Sequence, residues 1–96
     1  MGRERPTRAN MAELTIVVAT ILRRRQVETA TGYSRSTIYL RISQGLWPKP
    51  VAIGPRAVGW PAGEVAAVNS ARIAGKSEEE IRTLVAQLER ERREGR

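Results

Sequence analysis

The 96-residue chain contains no cysteine and no histidine. Without cysteine there is no disulfide framework. Without either residue, zinc fingers, thiol nucleophiles and imidazole acid–base chemistry are also excluded. Carboxylate and Ser-Lys chemistry remain open to this composition, yet no pairing of such residues stands out. No catalytic residue, metal ligand or cofactor is therefore assigned, and a non-enzymatic protein is expected. Long apolar runs are missing too. The longest, from Leu14 to Leu22, reaches about nine residues against the ~20 of a helical membrane span. Arginines precede it and three more follow at once, with no small-residue cleavage site, so a signal peptide is disfavoured. A cytoplasmic protein without membrane attachment, associated with the bacterial nucleoid, is the expectation. No internal repeat is visible.

Negative charge is scarce where it matters. The formal net charge is +7 and the sequence pI is near 11.2, a balance that suggests nucleic acid as a partner. Its distribution sharpens the point. Residues 1–20 carry three Arg against two Glu. Residues 62–96 set seven basic residues against seven Glu. Between them, residues 21–61 hold seven Lys or Arg and only Glu28, a local excess of +6. A charge run is often just a solvated face, so charge alone leaves the question even.

What the chain does contain is clear punctuation. Residues 1–12 are polar without an apolar period and read as a disordered basic arm, with Met11 an alternative start. Ile16, Val17, Val18, Ile21 and Leu22 are β-branched or apolar enough for a strand or a short packing segment. RRQVETAT, from Arg24, suits a short helix with Val27 and Ala30 on one face and Gly32 ending it in the left-handed region. Ser34 can cap a second helix running to about Gln44, in which Ile38 and Ile42 stand one turn apart for the core. Gly45 and Pro48 end it. Two short helices around a Gly-containing turn make a helix-turn-helix.

Val51–Ile53 and Val58–Trp60 are strand candidates around a Gly54-Pro55-Arg56-Ala57 turn, with Lys49 at the hairpin base and Arg56 at its tip. Trp47 and Trp60 are expected in the core, closing the hairpin against the helices. Ala62 to about Ala74 is a third helix, with Val65, Val68 and Ile73 apolar, and Gly75 breaks it. Ser77 and Glu80 then form an S-x-x-E capping box. Behind it Ile81, Leu84, Val85 and Leu88 follow at i, i+3, i+4 and i+7. Glu78 with Arg82 and Glu89 with Arg93 are potential i,i+4 pairs. The stripe either folds back on the core, as a small domain in need of apolar cover would favour, or pairs two subunits in a homodimer through Ile81, Leu84, Val85 and Leu88. The expected fold is mainly α: a small winged helix-turn-helix over 13–76, with a short β-hairpin wing, then a C-terminal amphipathic helix and charged tail over 77–96.

In such a fold the first exposed turn of the second helix enters the major groove. Here that turn is Ser34-Arg35-Ser36-Thr37. Arg can pair bidentately with guanine, and Ser or Thr can reach base or phosphate. Tyr39 and Arg41 lie further along. Arg23, Arg24 and Arg25 are either phosphate contacts or a solvated basic junction, and Lys49 and Arg56 extend the footprint to the wing. Double-stranded DNA is the expected partner.

The segment from Leu22 to Pro61 resembles the AlpA family of phage and prophage regulators. The signals are R-x-x-V-x-x-x-T-G ending at Gly32, SRSTIY at 34–39, the Gly45 stop, WPKP at 47–50 and RAVGW at 56–60. The likeness covers a little under half of the chain. It implies a MerR-like winged helix-turn-helix close in kind to excisionases. The function implied is transcriptional regulation in a mobile element, or else excision directed through an integrase. Integrase and RNA polymerase are the implied protein partners, and the DNA-reading residues would be Ser34, Arg35, Ser36, Thr37 and Tyr39, with the wing around Arg56. A protein-interaction adaptor, docking a partner on the Ile81–Leu88 stripe, is the alternative from another class. One departure stands out. The family tends to place a basic residue and then Leu after the Tyr, whereas here they are Leu40 and Arg41. Either the helix is slightly rotated, or Arg41 snorkels from a partly buried site.

Overall fold

The computed structural model describes residues 20–94. The arm over 1–12 and the residues Ile16, Val17 and Val18 lie outside the described part. The elements are β1 (Ile21–Leu22), α1 (Arg24–Thr31), α2 (Arg35–Ser43), β2 (Val51–Gly54), β3 (Ala57–Pro61), α3 (Ala62–Ile73) and α4 (Glu78–Arg93). This is a small, mainly helical winged helix-turn-helix.

Helices α1, α2 and α4 are punctuated by local chemistry. The Arg23 amide donates to Gln26 Oε1 at 2.8 Å ahead of α1, and Gly32, at φ +78°, ends that helix. A residue with a Cβ would be strained there. Ser34 Oγ accepts from the Thr37 amide at 3.2 Å and caps α2. Gly45, at φ +77°, reverses the chain after it. In α4 both halves of the capping box form: Ser77 Oγ accepts from the Glu80 amide at 3.1 Å, and Glu80 Oε1 accepts from the Ser77 amide at 2.9 Å.

The wing is the β2–β3 hairpin, antiparallel, with Val51 opposite Gly59, Ala52 opposite Val58 and an irregularity before Gly54 pairs with Ala57. β1 adds to its other edge, so the sheet order is β1-β3-β2. Of the apolar run read as strand or packing segment, Ile21 and Leu22 are strand, opposite Pro61 and Trp60. Gly59 makes this sheet possible. A Cβ there would stand 2.5 Å from Ile21 Cγ2 and 2.8 Å from the Leu22 carbonyl oxygen, distances no side chain tolerates.

One core joins helices and sheet. Val27 of α1, Ile38 of α2, Val65 and Val68 of α3, and Ile81 and Val85 of α4 close around Leu46, Trp47 and Trp60, all buried. Both tryptophans are interior, and Trp60 Nε1 donates to the Pro48 carbonyl at 2.8 Å, which satisfies its polar edge. Leu84 and Leu88 pack partly buried against the same core. The amphipathic stripe of α4 thus folds back on the core, with Ile81 and Val85 buried and Leu84 and Leu88 partly covered. Of the two i,i+4 pairs, Glu78 reaches Arg82 at 3.7 Å. Glu89 turns instead to accept the Lys49 amide at 2.8 Å. Ile73, at the end of α3, is 86% exposed. No helix among the described residues is long and apolar enough to cross a membrane.

Candidate nucleic-acid interface

The excess charge of residues 21–61 does not spread over the surface. Arg23 leads into α1, Arg24 and Arg25 form its first turn, Arg35 opens α2, and Arg56 sits at the tip of the wing. These five arginines line one open groove of about 540 Å³, together with Tyr39 and Val58. Three separate elements therefore converge on it, each for a local reason. The Ser34 cap sets where α2 begins and turns Arg35 outward. Tyr39 follows one turn later on the same face. The Pro55-Arg56 turn carries the wing cation across from them.

Charges inside the groove are poorly balanced. Arg24 is paired with Glu28 within α1. Among the described residues no carboxylate reaches Arg23, Arg25, Arg35 or Arg56, since the other ion pairs are Arg82–Glu78 and Arg92–Glu64. Clustered guanidinium groups without counter-charges repel one another and raise the local positive potential, a cost that a polyanion relieves. Tyr39 is 40% exposed, and its ring meets the buried Trp60 at 6.5 Å between centroids with the planes inclined at 64°. That edge contact fixes the ring at the groove wall.

The chain belongs to the AlpA family. The family model described as prophage CP4-57 regulatory protein (AlpA) matches residues 20–72, more than half of the 96 residues. No curated protein and no solved structure shows a significant match. The match spans β1 through nearly all of α3, and it includes every groove residue of this AlpA-family chain.

Not all the residues singled out from sequence meet in the groove. Ser34 is occupied as the helix cap, and its hydroxyl also donates to Thr37 Oγ1 at 3.0 Å. Ser36 is exposed and Thr37 partly buried on the same opening turn. Arg41 is elsewhere. At about 100° per residue it lies about 200° around α2 from Tyr39, so it faces away from the groove. Its guanidinium carbon stands 5.8 Å from the Tyr33 ring centroid, and Nη1 donates to Gln44 Oε1 at 3.1 Å. Ile38 is fully buried and Leu40 is 53% exposed. The Leu40-Arg41 inversion is absorbed by an arginine that snorkels. Lys49 is not in the groove lining either, and its main chain is gripped by α4.

That grip is the part sequence reasoning missed. α4 lies outside the family match, yet Arg82 Nε donates to the Gln44 carbonyl at 2.8 Å, just beyond the end of α2. Glu89 accepts the Lys49 amide, and Arg92 Nη2 donates to the Lys49 carbonyl at 2.7 Å. Arg92 also pairs with the buried Glu64 of α3 through two bonds, of 2.9 and 2.6 Å. The fork-on-fork geometry is the strong form of such a pair. α4 therefore holds both ends of the connection between α2 and the wing. No local pattern announces contacts between residues 28 to 43 positions apart.

Proposed function

We propose that this AlpA-family protein is a non-enzymatic, sequence-specific DNA-binding regulator of a prophage or related mobile element, acting in the cytoplasm. The amino-terminal turn of α2 enters the major groove, where Arg35 reads a base edge and Ser36 and Thr37 contact base or phosphate. Arg23, Arg24 and Arg25 hold the backbone beside it, and Arg56 carries the wing to phosphate or minor groove. The observation that carries this reading is the groove itself. Five arginines from three elements face one opening, and among the described residues Glu28 is the only carboxylate that pairs with any of the five.

Binding to a duplex in increasing salt tests it. Neutralising several phosphates makes affinity fall steeply, with a slope of roughly 0.9 per phosphate contacted on logarithmic axes. An affinity indifferent to salt refutes the reading. Arg35→Ala is expected to cost ~1–3 kcal/mol on the selected site and far less on random duplex. An equal loss on both would make Arg35 a phosphate contact instead.

A further inference from the structure

On the far side of α2 from the DNA groove lies a second cationic concavity, and nothing in the proposed DNA contact uses it. It is formed where the ends of α2 and α3 meet the start of α4, with a volume of about 230 Å³. Tyr33 is its centre. The Tyr33 ring is set by an edge contact with buried Trp47, 6.2 Å between centroids at 84°. The Arg72 guanidinium lies over this ring at 4.5 Å and that of Arg41 at 5.8 Å. Lys76 adds a third cation, and Leu46 and Ile81 supply an apolar floor.

Two guanidinium groups on one aromatic ring repel each other unless an anion sits between or beside them. Among the described residues none does. Among the described residues Arg72 finds no hydrogen-bond acceptor and no ion pair, and of the Arg41 guanidinium nitrogens only Nη1 finds a partner, Gln44 Oε1. Arg41 Nε is buried without any. The one carboxylate at the rim, Glu78, is turned to Arg82 at 3.7 Å. Stacking on an aromatic face fixes the plane of a guanidinium and leaves its edge donors aimed outward, the arrangement that suits an oxyanion.

We propose that this pocket binds a phosphate group. Three cations against one carboxylate leave a lining charge of +2, which a phosphate dianion balances and a single carboxylate does not. The volume lies below the range of about 300–1,000 Å³ usual for small-molecule sites, so it fits the phosphate of a ligand rather than a whole nucleotide. The group comes either from a free phosphate or phosphate monoester, or from the backbone of DNA.

The intact protein is titrated with inorganic phosphate against chloride at equal ionic strength, following amide and arginine side-chain resonances by NMR. Saturable shifts are expected at Tyr33, Arg41, Arg72 and Lys76, and not at Arg25, Arg35 or Arg56. Arg72 is exposed, so its replacement leaves the fold intact. Arg72→Ala is expected to weaken phosphate about tenfold, as loss of a charge-assisted contact does. Arg72→Lys, which keeps charge but not the planar fork, falls between, and Arg35→Ala leaves phosphate binding unchanged. Shifts that never saturate, or that are as large in the groove as in the pocket, overturn the proposal. So does an unaltered affinity in Arg72→Ala. Repeating the titration with a duplex bound separates the sources. Phosphate affinity unchanged by the duplex assigns the pocket to a free phosphate ligand, and phosphate excluded by the duplex assigns it to DNA. The first titration needs no DNA, so it stands even if the proposed DNA contact fails.

Discussion

Two arginine-rich regions of this molecule behave in opposite ways. In the groove, Arg23, Arg25, Arg35 and Arg56 are exposed, and no carboxylate among the described residues pairs with them. Along α4, Arg82 and Arg92 are engaged on the Gln44 carbonyl, the Lys49 carbonyl and Glu64. Residue type does not distinguish them, since both sets are arginines. What differs is the supply of acceptors. Among the described residues only Glu28 meets a groove arginine, whereas the fold brings Glu64 and the Gln44 and Lys49 carbonyls to the arginines of α4. An arginine with partners inside the chain fixes structure, and an arginine without them is held ready for an anion from outside.

The contrast is tested first where it is strongest. Arg92→Ala leaves Glu64, whose side chain is only 10% exposed, as an uncompensated carboxylate. It also strips the Lys49 carbonyl of its donor. Breaking such a pair from one side is expected to destabilise the fold by about 2–4 kcal/mol, somewhat under the cost for a fully buried pair. Urea unfolding reads this directly, and the double variant Arg92→Met with Glu64→Gln should recover part of the loss. A loss below about 0.5 kcal/mol, the range of ordinary surface changes, would erase the distinction between the two regions.

Next comes the opposite experiment in the groove. Arg56→Ala should leave unfolding within about 0.5 kcal/mol of the parent chain, while reducing the salt slope of duplex binding by about one. A large stability loss would mean that Arg56 has an internal role and is not a free cation. The capping box of α4 ranks after these. Ser77→Ala is expected to cost about 1 kcal/mol of stability and to leave the salt slope of duplex binding untouched. Sedimentation at micromolar concentration should meanwhile show a monomer in the absence of DNA, because the α4 stripe is covered within the chain.

The smallest effect concerns pH. Hydrogen bonds from the Ser77 backbone and side chain, the backbone contact foremost, hold the Glu80 carboxyl below the ordinary glutamate value of 4.5. A carboxyl depressed in the folded state contributes stability above its unfolded value, and that contribution is lost as pH falls through the folded one. The difference in urea midpoint between the parent chain and Glu80→Gln should be present at neutral pH and should shrink as pH drops below 4.5. A difference independent of pH would place the effect in helix propensity rather than in the charge.

Much of the fold was legible because it rests on local rules. Ser34, Ser77 with Glu80, Gly32 and Gly45 mark helix ends through hydrogen bonds within a few residues and through backbone conformation, and both are written in adjacent letters. The Ile38–Ile42 and Ile81–Leu88 spacings named the inward faces for the same reason. The groove was legible in part. Arg24, Arg25, Arg35, Tyr39 and Arg56 were singled out from charge and position, and the structure brings them together. Arg41 and Lys49 were singled out on the same grounds and stand outside it. At Arg41 helical geometry already pointed away from Tyr39, so the signal existed. At Lys49 it did not, because its main chain is held by residues 40 and 43 positions away.

Sequence by itself determined the four helices of the described residues, the Ser34 and Ser77 caps, the hairpin and the concentration of positive charge between residues 21 and 61. Each follows from short-range sterics, hydrogen bonding or counting. Only the tertiary structure decided which arginines share a groove, which are consumed in holding the α2–wing connection, and which meet over Tyr33 at a second site. Those outcomes depend on distances between elements far apart in the chain. Such distances are set when Trp47, Trp60 and the α4 stripe close the core, not by any pattern that neighbouring residues carry.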